Sequence, residues 1–363
     1  MNFFLFLSLA IYGGFVIYIV IGLFKYENHE QDELPGRTVS IIIAARNEEN
    51  NLESLLTDIL LQDFPLDLLD VAVVDDRSTD KTWDIITRYS DKYSFIKGIQ
   101  IQELSEEMTP KKYALTKAID ATSGEIIVTT DADCRVPTTW VSSMVKSLGS
   151  AHSISIGYSQ TNISSGSLFH RLQNMDFLGI MAANAGAAGW HNYWSGSGQN
   201  LAYLRTSFNE IGGFTPVHYR ISGDDMYLVQ AISKIGKAIF NIDLDGAVKT
   251  KPVETVKQFI NQRSRWASNS RRISDGSQSF FIFLVAAFLS NVFIFTSFLF
   301  GFGSFFSAFI IKFLFEGSVL FLGGLLFKTT VQFSVYILWA LIQPIYIPVI
   351  ALMGLNDKFK WKP

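Results

Sequence analysis

Apolar positions are not spread evenly along this chain; they gather at its two ends. Residues Asn2 to Phe24 are almost wholly apolar and carry no charge. About 20 apolar residues in a helix cross the hydrocarbon core of a bilayer. The run is long, no basic residue precedes it, and no small-x-small cleavage site follows it. It therefore predicts a retained anchor over residues 1–25 rather than a cleaved signal peptide. From Ser279 the chain turns apolar again. Ser279–Phe300, Phe305–Phe327 and Val331–Met353 predict three more spans, within a segment 279–355. Pro344 and Pro348 are expected to kink the last of them. Lys312 and Glu316 interrupt the middle one at i, i+4, a spacing that lets the two charges meet on one helix face. Such a pair inside a span marks either function or a lock between helices.

Positive charge orients these segments. Lys25 follows the first span, and Arg263, Arg265, Arg271 and Arg272 precede the second. Both place residues 25–278 on the cytoplasmic side of a membrane, the bacterial inner membrane being the expected one. The basic tail, residues 356–363 with Lys358, Lys360 and Lys362, also favours the inside. Three C-terminal crossings would leave it outside. A re-entrant or split span, or an exceptional tail, would resolve that conflict.

The middle of the chain has a different rhythm. Thr38–Ala45, Val71–Val74 and Glu125–Thr130 are short β-rich apolar runs. The helix-prone stretches Glu48–Leu61 and Lys81–Tyr93 lie between them. Buried strands separated by helices predict an α/β domain with a mostly parallel sheet over residues 38–253. Residues 254–278 read as an amphipathic segment suited to a membrane surface. In parallel sheets, ligands bind beyond the carboxyl ends of the strands. Two of these runs lead directly into acidic residues.

Composition narrows the choices. Of 363 residues 48% are hydrophobic and 17% charged, against the roughly 25% charged usual in soluble domains; mean hydropathy is +0.24. A net charge of −3 gives nucleic-acid binding no electrostatic support. The single cysteine, Cys134, excludes an internal disulfide framework and a CxxC metal site.

Four polar clusters carry the candidate chemistry. Asp75-Asp76-Arg77-Ser78-Thr79-Asp80 follows the strand VAVV. Its aspartates can accept from a base N–H or a ribose hydroxyl, and one of Ser78, Thr79 and Asp80 can cap the next helix. Asp131-Ala132-Asp133 follows EIIVTT. Two carboxylates one residue apart can share a divalent cation such as Mg²⁺ or Mn²⁺, and a diphosphate leaving group needs that charge. Gly223-Asp224-Asp225 offers a carboxylate to take a proton from an attacking hydroxyl. Gln262-Arg263-Ser264-Arg265-Trp266 lies on an amphipathic stretch, where its arginines serve either the membrane surface or a phosphate. Trp190, His191, Tyr193 and Trp194 form an aromatic cluster fit for sugar stacking or for core packing, and His191 lacks partners as a metal ligand.

In this order, VVDDRSTD, PKKYAL, TDADC, GSGQNLAYLR, GDD and QRSRW resemble the motifs of family 2 glycosyltransferases, which have the GT-A fold. The similarity is greatest to the membrane-bound branch that includes cellulose and hyaluronan synthases and ceramide glucosyltransferase. It covers roughly Val39 to Ile273 and the flanking membrane helices. The resemblance implies a metal-dependent, inverting hexosyltransferase that uses a nucleotide-sugar donor, by default a UDP-sugar. Asp75 and Asp76 would bind the base and ribose, with Ala44, Arg46, Glu48, Lys111 and Asp131 also on the nucleotide. Asp131 and Asp133 would form the metal-binding DxD, Asp133 the more direct ligand. Asp225 would be the general base beside Asp224, which stands where relatives have Glu. Gln262, Arg263, Arg265 and Trp266 would face the acceptor and diphosphate. Pro110 replaces the glycine usual before the lysine, and Arg77 stands where many relatives have Gly.

The acceptor implied is a lipid or lipid-linked glycan at the membrane. A processive polysaccharide synthase is the alternative, disfavoured by the short chain and few C-terminal spans. A non-catalytic transporter or ion-binding protein would need acidic residues within the spans, and only Glu316 qualifies.

Overall fold

Runs rich in β-branched residues form the centre of the molecule. In the computed structural model, which describes residues 2–26, 36–162, 166–271, 277–299 and 301–355, β1 (Val39–Ala45), β2 (Leu69–Asp76) and β4 (Ile126–Asp131) are adjacent parallel strands buried on both faces. β3 (Ile96–Ile101) extends the sheet beyond β2. β6 (Ile154–Gly157), β8 (Leu201–Leu204) and β9 (Ala238–Asn241) complete seven strands in the order β3-β2-β1-β4-β8-β6-β9. β8 runs against both its neighbours; the other pairs are parallel. A second sheet joins β5 (Cys134–Arg135), β10 (Val248–Thr250) and β7 (Ser159–Thr161), in that order.

Alternation along the strands divides the core into two layers. Ile41, Ile43, Val71 and Val73 pack with Leu52, Leu55, Leu56 and Ile59 of α2 (Leu52–Leu60), with α3 (Thr82–Lys92) and with α5 (Trp140–Leu148). Ile42, Ala72, Val74 and Ile127 face the other way, toward α4 (Pro110–Asp120) and α6 (Leu168–Ala188). That second layer continues without a break into Tyr12, Val16 and Ile19 of α1 (Asn2–Leu23). α7 (Arg205–Glu210), α8 (Asp224–Ile235) and α9 (Val256–Ala267) complete the domain.

α1, α10 (Gln278–Ser297), α11 (Phe302–Leu326) and α12 (Phe333–Leu355) are four helices long and apolar enough to cross a membrane. Pro344 and Pro348 lie inside α12. Arg272 and the basic tail lie outside the described residues. α1 meets α6 at backbone contact: a Cβ on Gly22 would fall 1.8 Å from the Gly186 carbonyl oxygen, and one on Gly189 would fall 2.1 Å from that of Gly22. Lys312 and Glu316 do meet, at 2.7 Å. Tyr12 donates to Glu316 at 2.7 Å and Lys312 donates to Gln343, so α1, α11 and α12 share one buried polar cluster. The pair acts as a lock between helices.

Two expectations change in detail. The expected helix from Glu48 starts only at Leu52, because the Asn51 and Leu52 amides first turn back onto the Glu48 carbonyl. β2 continues through Asp76, since β3 offers backbone partners as far as Gln100 and Ile101. Within the aromatic cluster, Trp194 is 1% exposed and stacks on Tyr18, Phe280 and Phe283, while the more exposed Trp190 stacks on Tyr18 with Lys25 over its ring.

Candidate active site

The strand order reverses direction at β1, which has β2 on one side and β4 on the other. A crevice opens beyond the carboxyl ends of strands at such a switch point. Register brings the candidate residues to it: Ala44 pairs with Asp131 across one edge, and Ala45 pairs with Asp75 across the other.

On the β2 side, Asp75 and Asp76 are both buried. Asp75 accepts from the Ser78 amide at 3.2 Å. Asp76 takes a two-pronged contact from Arg77 at 2.8 and 3.0 Å, with Arg46 at 3.9 Å. Arg77 has φ 55°, a left-handed conformation that glycine adopts freely and arginine does not. The loops after β1 and β2 are tied together. The Asn47 amide donates to Ser78, Thr79 donates to the Asn47 side chain, and the Glu48 amide donates to Thr82 at 2.8 Å. Asp80, rather than Ser78 or Thr79, receives the Thr82 amide at the start of α3. Arg46 has a buried Nε without a partner.

On the β4 side, three carboxylates and three cations converge. Lys111, on the first turn of α4, places Nζ 3.0 Å from Asp131 and 3.8 Å from Asp224. Lys112 is fully buried, 4.0 Å from the other Asp224 oxygen. Arg265, from α9, is surrounded by Asp224, Asp131 and Asp225, which oppose the lowering that burial imposes on its guanidinium. Asp133 lies two residues beyond Asp131 and contacts Cys134, whose thiol is pushed up first by burial and then by Asp133 and Asp131.

Asp224 and Asp225 open α8, where the helix N-terminus favours negative charge. Gly223 before them has φ 80°, and a Cβ there would meet the Asn269 side chain at 2.7 Å. The two aspartates shift in opposite directions. Burial alone would raise Asp224, but Lys111 and Lys112 hold it below the usual carboxylate range. Asp225 is pushed up by burial and then by the charge of Asp224. Lys111 is lowered by burial, but Asp131, Asp224 and Asp225 outweigh this and lift it above its ordinary value. Asp225 accepts from the Gly198 amide at 3.2 Å and from the Met226 amide at 2.8 Å. The Gly198 loop is fixed in turn: Thr129 of β4 donates to its carbonyl at 2.8 Å, and the fully buried Asn200 bonds Tyr158, Gly246 and Trp140.

Arg263 does not join this cluster. Its Nε donates to Asp176 of α6 at 2.6 Å, and its guanidinium lies over Phe259 and Trp266 at 4.6 and 4.1 Å. Its Nη1 donates to Gln262 at 2.6 Å. It is buried, so α9 does not present this arginine to a membrane surface. Sequence reasoning passed over Lys112, Gly198 and Asp176. For Lys112 the signal was a second lysine beside Lys111; for Asp176 it was a lone charge in the apolar run NMDFLG.

Among the described residues, no three His, Cys, Asp or Glu side chains are grouped to hold a metal by themselves. Asp131 and Asp133 supply hard oxygen donors of the type Mg²⁺ and Mn²⁺ accept, and such ions commonly take their remaining ligands from phosphates and water. The donor set fits a metal shared with a diphosphate.

Several known proteins resemble the chain. The probable glycosyltransferase YdaM of Bacillus subtilis is 27% identical over 244 residues, 66% of this chain and 56% of that protein. The beta-monoglucosyldiacylglycerol synthase of a Nostoc species is 33% identical over 116 residues, 31% of this chain and 24% of that protein. The matches thus span about half or less of these curated relatives. In fold, the chain is similar to the mannosyltransferase PcManGT from Pyrobaculum calidifontis, solved with GDP-Man and Mn²⁺. The TM-score is 0.65 at 21% identity, covering 98% of this chain and 99% of that one. Residues 40–222 match the model of the glycosyl transferase family 2, and the chain belongs to that family.

Proposed function

We propose that this chain transfers a sugar, with inversion, from a nucleoside diphosphate sugar to the hydroxyl of a lipid or lipid-linked acceptor at a membrane. The observation that carries this reading is the convergence of Asp131, Asp224 and Asp225 with Lys111 and Lys112 beyond the end of β4. The lysines favour the ionised form of Asp224, while burial and the Asp224 charge raise Asp225, as suits a proton acceptor. The four long apolar helices support an acceptor drawn from the bilayer. Their packing onto the domain and the basic residues beside them support a catalytic domain on the cytoplasmic face of a bacterial inner membrane.

In this reading Asp75 and Asp76, with Ala44, Arg46 and Glu48, hold the nucleoside. Lys111 and Arg265 face the diphosphate. Asp131 and Asp133 would hold Mg²⁺ or Mn²⁺, which when bound neutralises charge developing on the leaving group. Asp225 takes the proton from the acceptor hydroxyl as its oxygen bonds to the anomeric carbon. The bond from that carbon to the diphosphate oxygen breaks on the opposite face, and the nucleoside diphosphate leaves with the electron pair. Gly198 fixes the orientation of Asp225 through its amide. Gln262 and Trp266 border the acceptor.

The test uses membranes that contain the protein, a panel of UDP- and GDP-sugars, and Mn²⁺ or Mg²⁺, with and without added lipid. Nucleoside diphosphate release that needs metal and lipid and is lost in Asp225→Asn supports the reading. Folded protein that neither binds nor cleaves any donor overturns it.

A further inference from the structure

Lysine is rarely buried without a partner, and Lys112 is fully buried within the catalytic domain. It follows Lys111 on the first turn of α4 but serves a different neighbour. Its Nζ donates to the Arg220 carbonyl at 2.5 Å and lies 4.0 Å from Asp224. The same carbonyl accepts from the Thr109 hydroxyl at 2.9 Å, and the Thr109 amide donates to the His218 carbonyl at 3.0 Å. The start of α4 therefore grips the segment 218–220 at three points. That segment runs through the left-handed Gly223 into Asp224 and Asp225.

We propose that Lys112 is a positioning residue for the transfer step: it balances the charge of Asp224 and pins the loop that delivers Asp225 to the acceptor. The inference rests on the transferase reading above. Lys112 touches no reacting atom in this arrangement; it acts through its two neighbours. Asp224 lies between Lys111 and Lys112. With Lys112 neutral, one buried carboxylate loses part of its compensation, and an uncompensated buried charge is relieved by movement or by proton uptake. Either would displace or disarm the adjacent Asp225. Lys111 then serves Asp131 and the diphosphate as well as Asp224, and Lys112 serves Asp224 and the loop that leads into it.

Lys112→Gln keeps a donor for the Arg220 carbonyl and removes the charge. Thr109→Val removes the other side-chain donor to that carbonyl and keeps the charge. Each would be assayed for nucleoside diphosphate release at varied donor concentration, alone and in an Asp224→Asn background. Lys112→Gln is expected to lower kcat about 10- to 100-fold with donor KM changed less than about threefold, as coupled neighbours do. Thr109→Val should stay within about fivefold of wild type. In the Asp224→Asn background, adding Lys112→Gln should cost less than about threefold, because the charge it balanced is gone. Wild-type turnover that Lys112→Gln leaves intact overturns this inference alone, as does an equal cost in both backgrounds. No turnover by wild type with any donor overturns the transferase reading and this inference with it. If Lys112→Gln unfolds too readily to assay, the coupling is read from Tm. Asp224→Asn should then recover part of the lost Tm, and a further loss overturns the inference.

Discussion

Arg263 and Asp176 meet at 2.6 Å with side chains only 6% and 10% exposed. The pair joins α9 to α6, and the same guanidinium orders Gln262 and Trp266. Breaking a buried pair from one side leaves a charge uncompensated. Asp176→Ala is therefore expected to cost about 3–5 kcal/mol, read as a fall in Tm in detergent. Arg263→Met with Asp176→Leu should cost much less than the sum of the single changes. Where Asp176→Ala still folds, turnover should fall with donor binding intact, because Gln262 and Trp266 lose their support.

Asp225→Asn should separate activity from stability. Turnover is expected to drop about 10²- to 10⁴-fold with donor affinity retained. The folded-state value of Asp225 is raised by burial and by Asp224, so its contribution to stability is present only at low pH. That contribution is lost as pH rises through the raised value. The ionised carboxylate thus destabilises the neutral protein, and Asp225→Asn should have a higher Tm than wild type at pH 7. Asp224 has the opposite sign: its lowered value means stability present above the ordinary carboxylate value and lost as pH falls through the folded one. Activity should rise with pH along the titration of Asp225. A Tm at pH 7 lower in Asp225→Asn than in wild type would contradict this assignment.

Removal of divalent metal with a chelator should abolish nucleoside diphosphate release, and added Mn²⁺ or Mg²⁺ should restore it. On the proposed metal site, Asp133→Ala should cost about 100-fold or more, since one of its two proposed carboxylate donors is gone. Without metal, Asp131 keeps Lys111 at 3.0 Å. Donor binding should therefore weaken but persist, and calorimetry with and without Mn²⁺ checks this.

Lys312 and Glu316 face each other inside the helix bundle, with Tyr12 and Gln343 on them. Lys312→Met alone should destabilise by about 3–5 kcal/mol. Lys312→Leu with Glu316→Leu should come close to wild type in Tm and in turnover. A double variant that folds but is inactive would give the pair a role in transfer rather than in assembly.

Much of this architecture could be read from residue order. The three apolar runs that end in acidic residues or loop polar groups became β1, β2 and β4, because continuous β-branched segments can be buried only in the middle of a sheet. Parallel β2 and β4 flank β1 and bring Asp75 and Asp131 to the same end of the sheet, while Asp224 reaches Asp131 through Lys111 from the start of α8. Arg263 and Arg265 could not be told apart, since which face of α9 meets α6 depends on Asp176, 87 residues away. Lys112 was hidden for a related reason. A lysine on a helix reads as solvated until a distant loop, here at Arg220, closes over it. The aromatic cluster was likewise ambiguous, because Trp194 packs against Phe15 of α1 as well as α10, partners that lie far from it in sequence.

The glycine contact between α1 and α6 bears on how the protein is made. Gly22 and Gly186 touch through backbone atoms, so α1 is a wall of a domain whose sheet is completed only at β9, far downstream in the chain. α1 therefore lacks its α6 partner until that part of the chain has been synthesised. α10, α11 and α12 then arrive to close the bundle around it. A variant lacking α1 would therefore uncover the α6 face around Gly186 and Gly189, where the α1 backbone now packs.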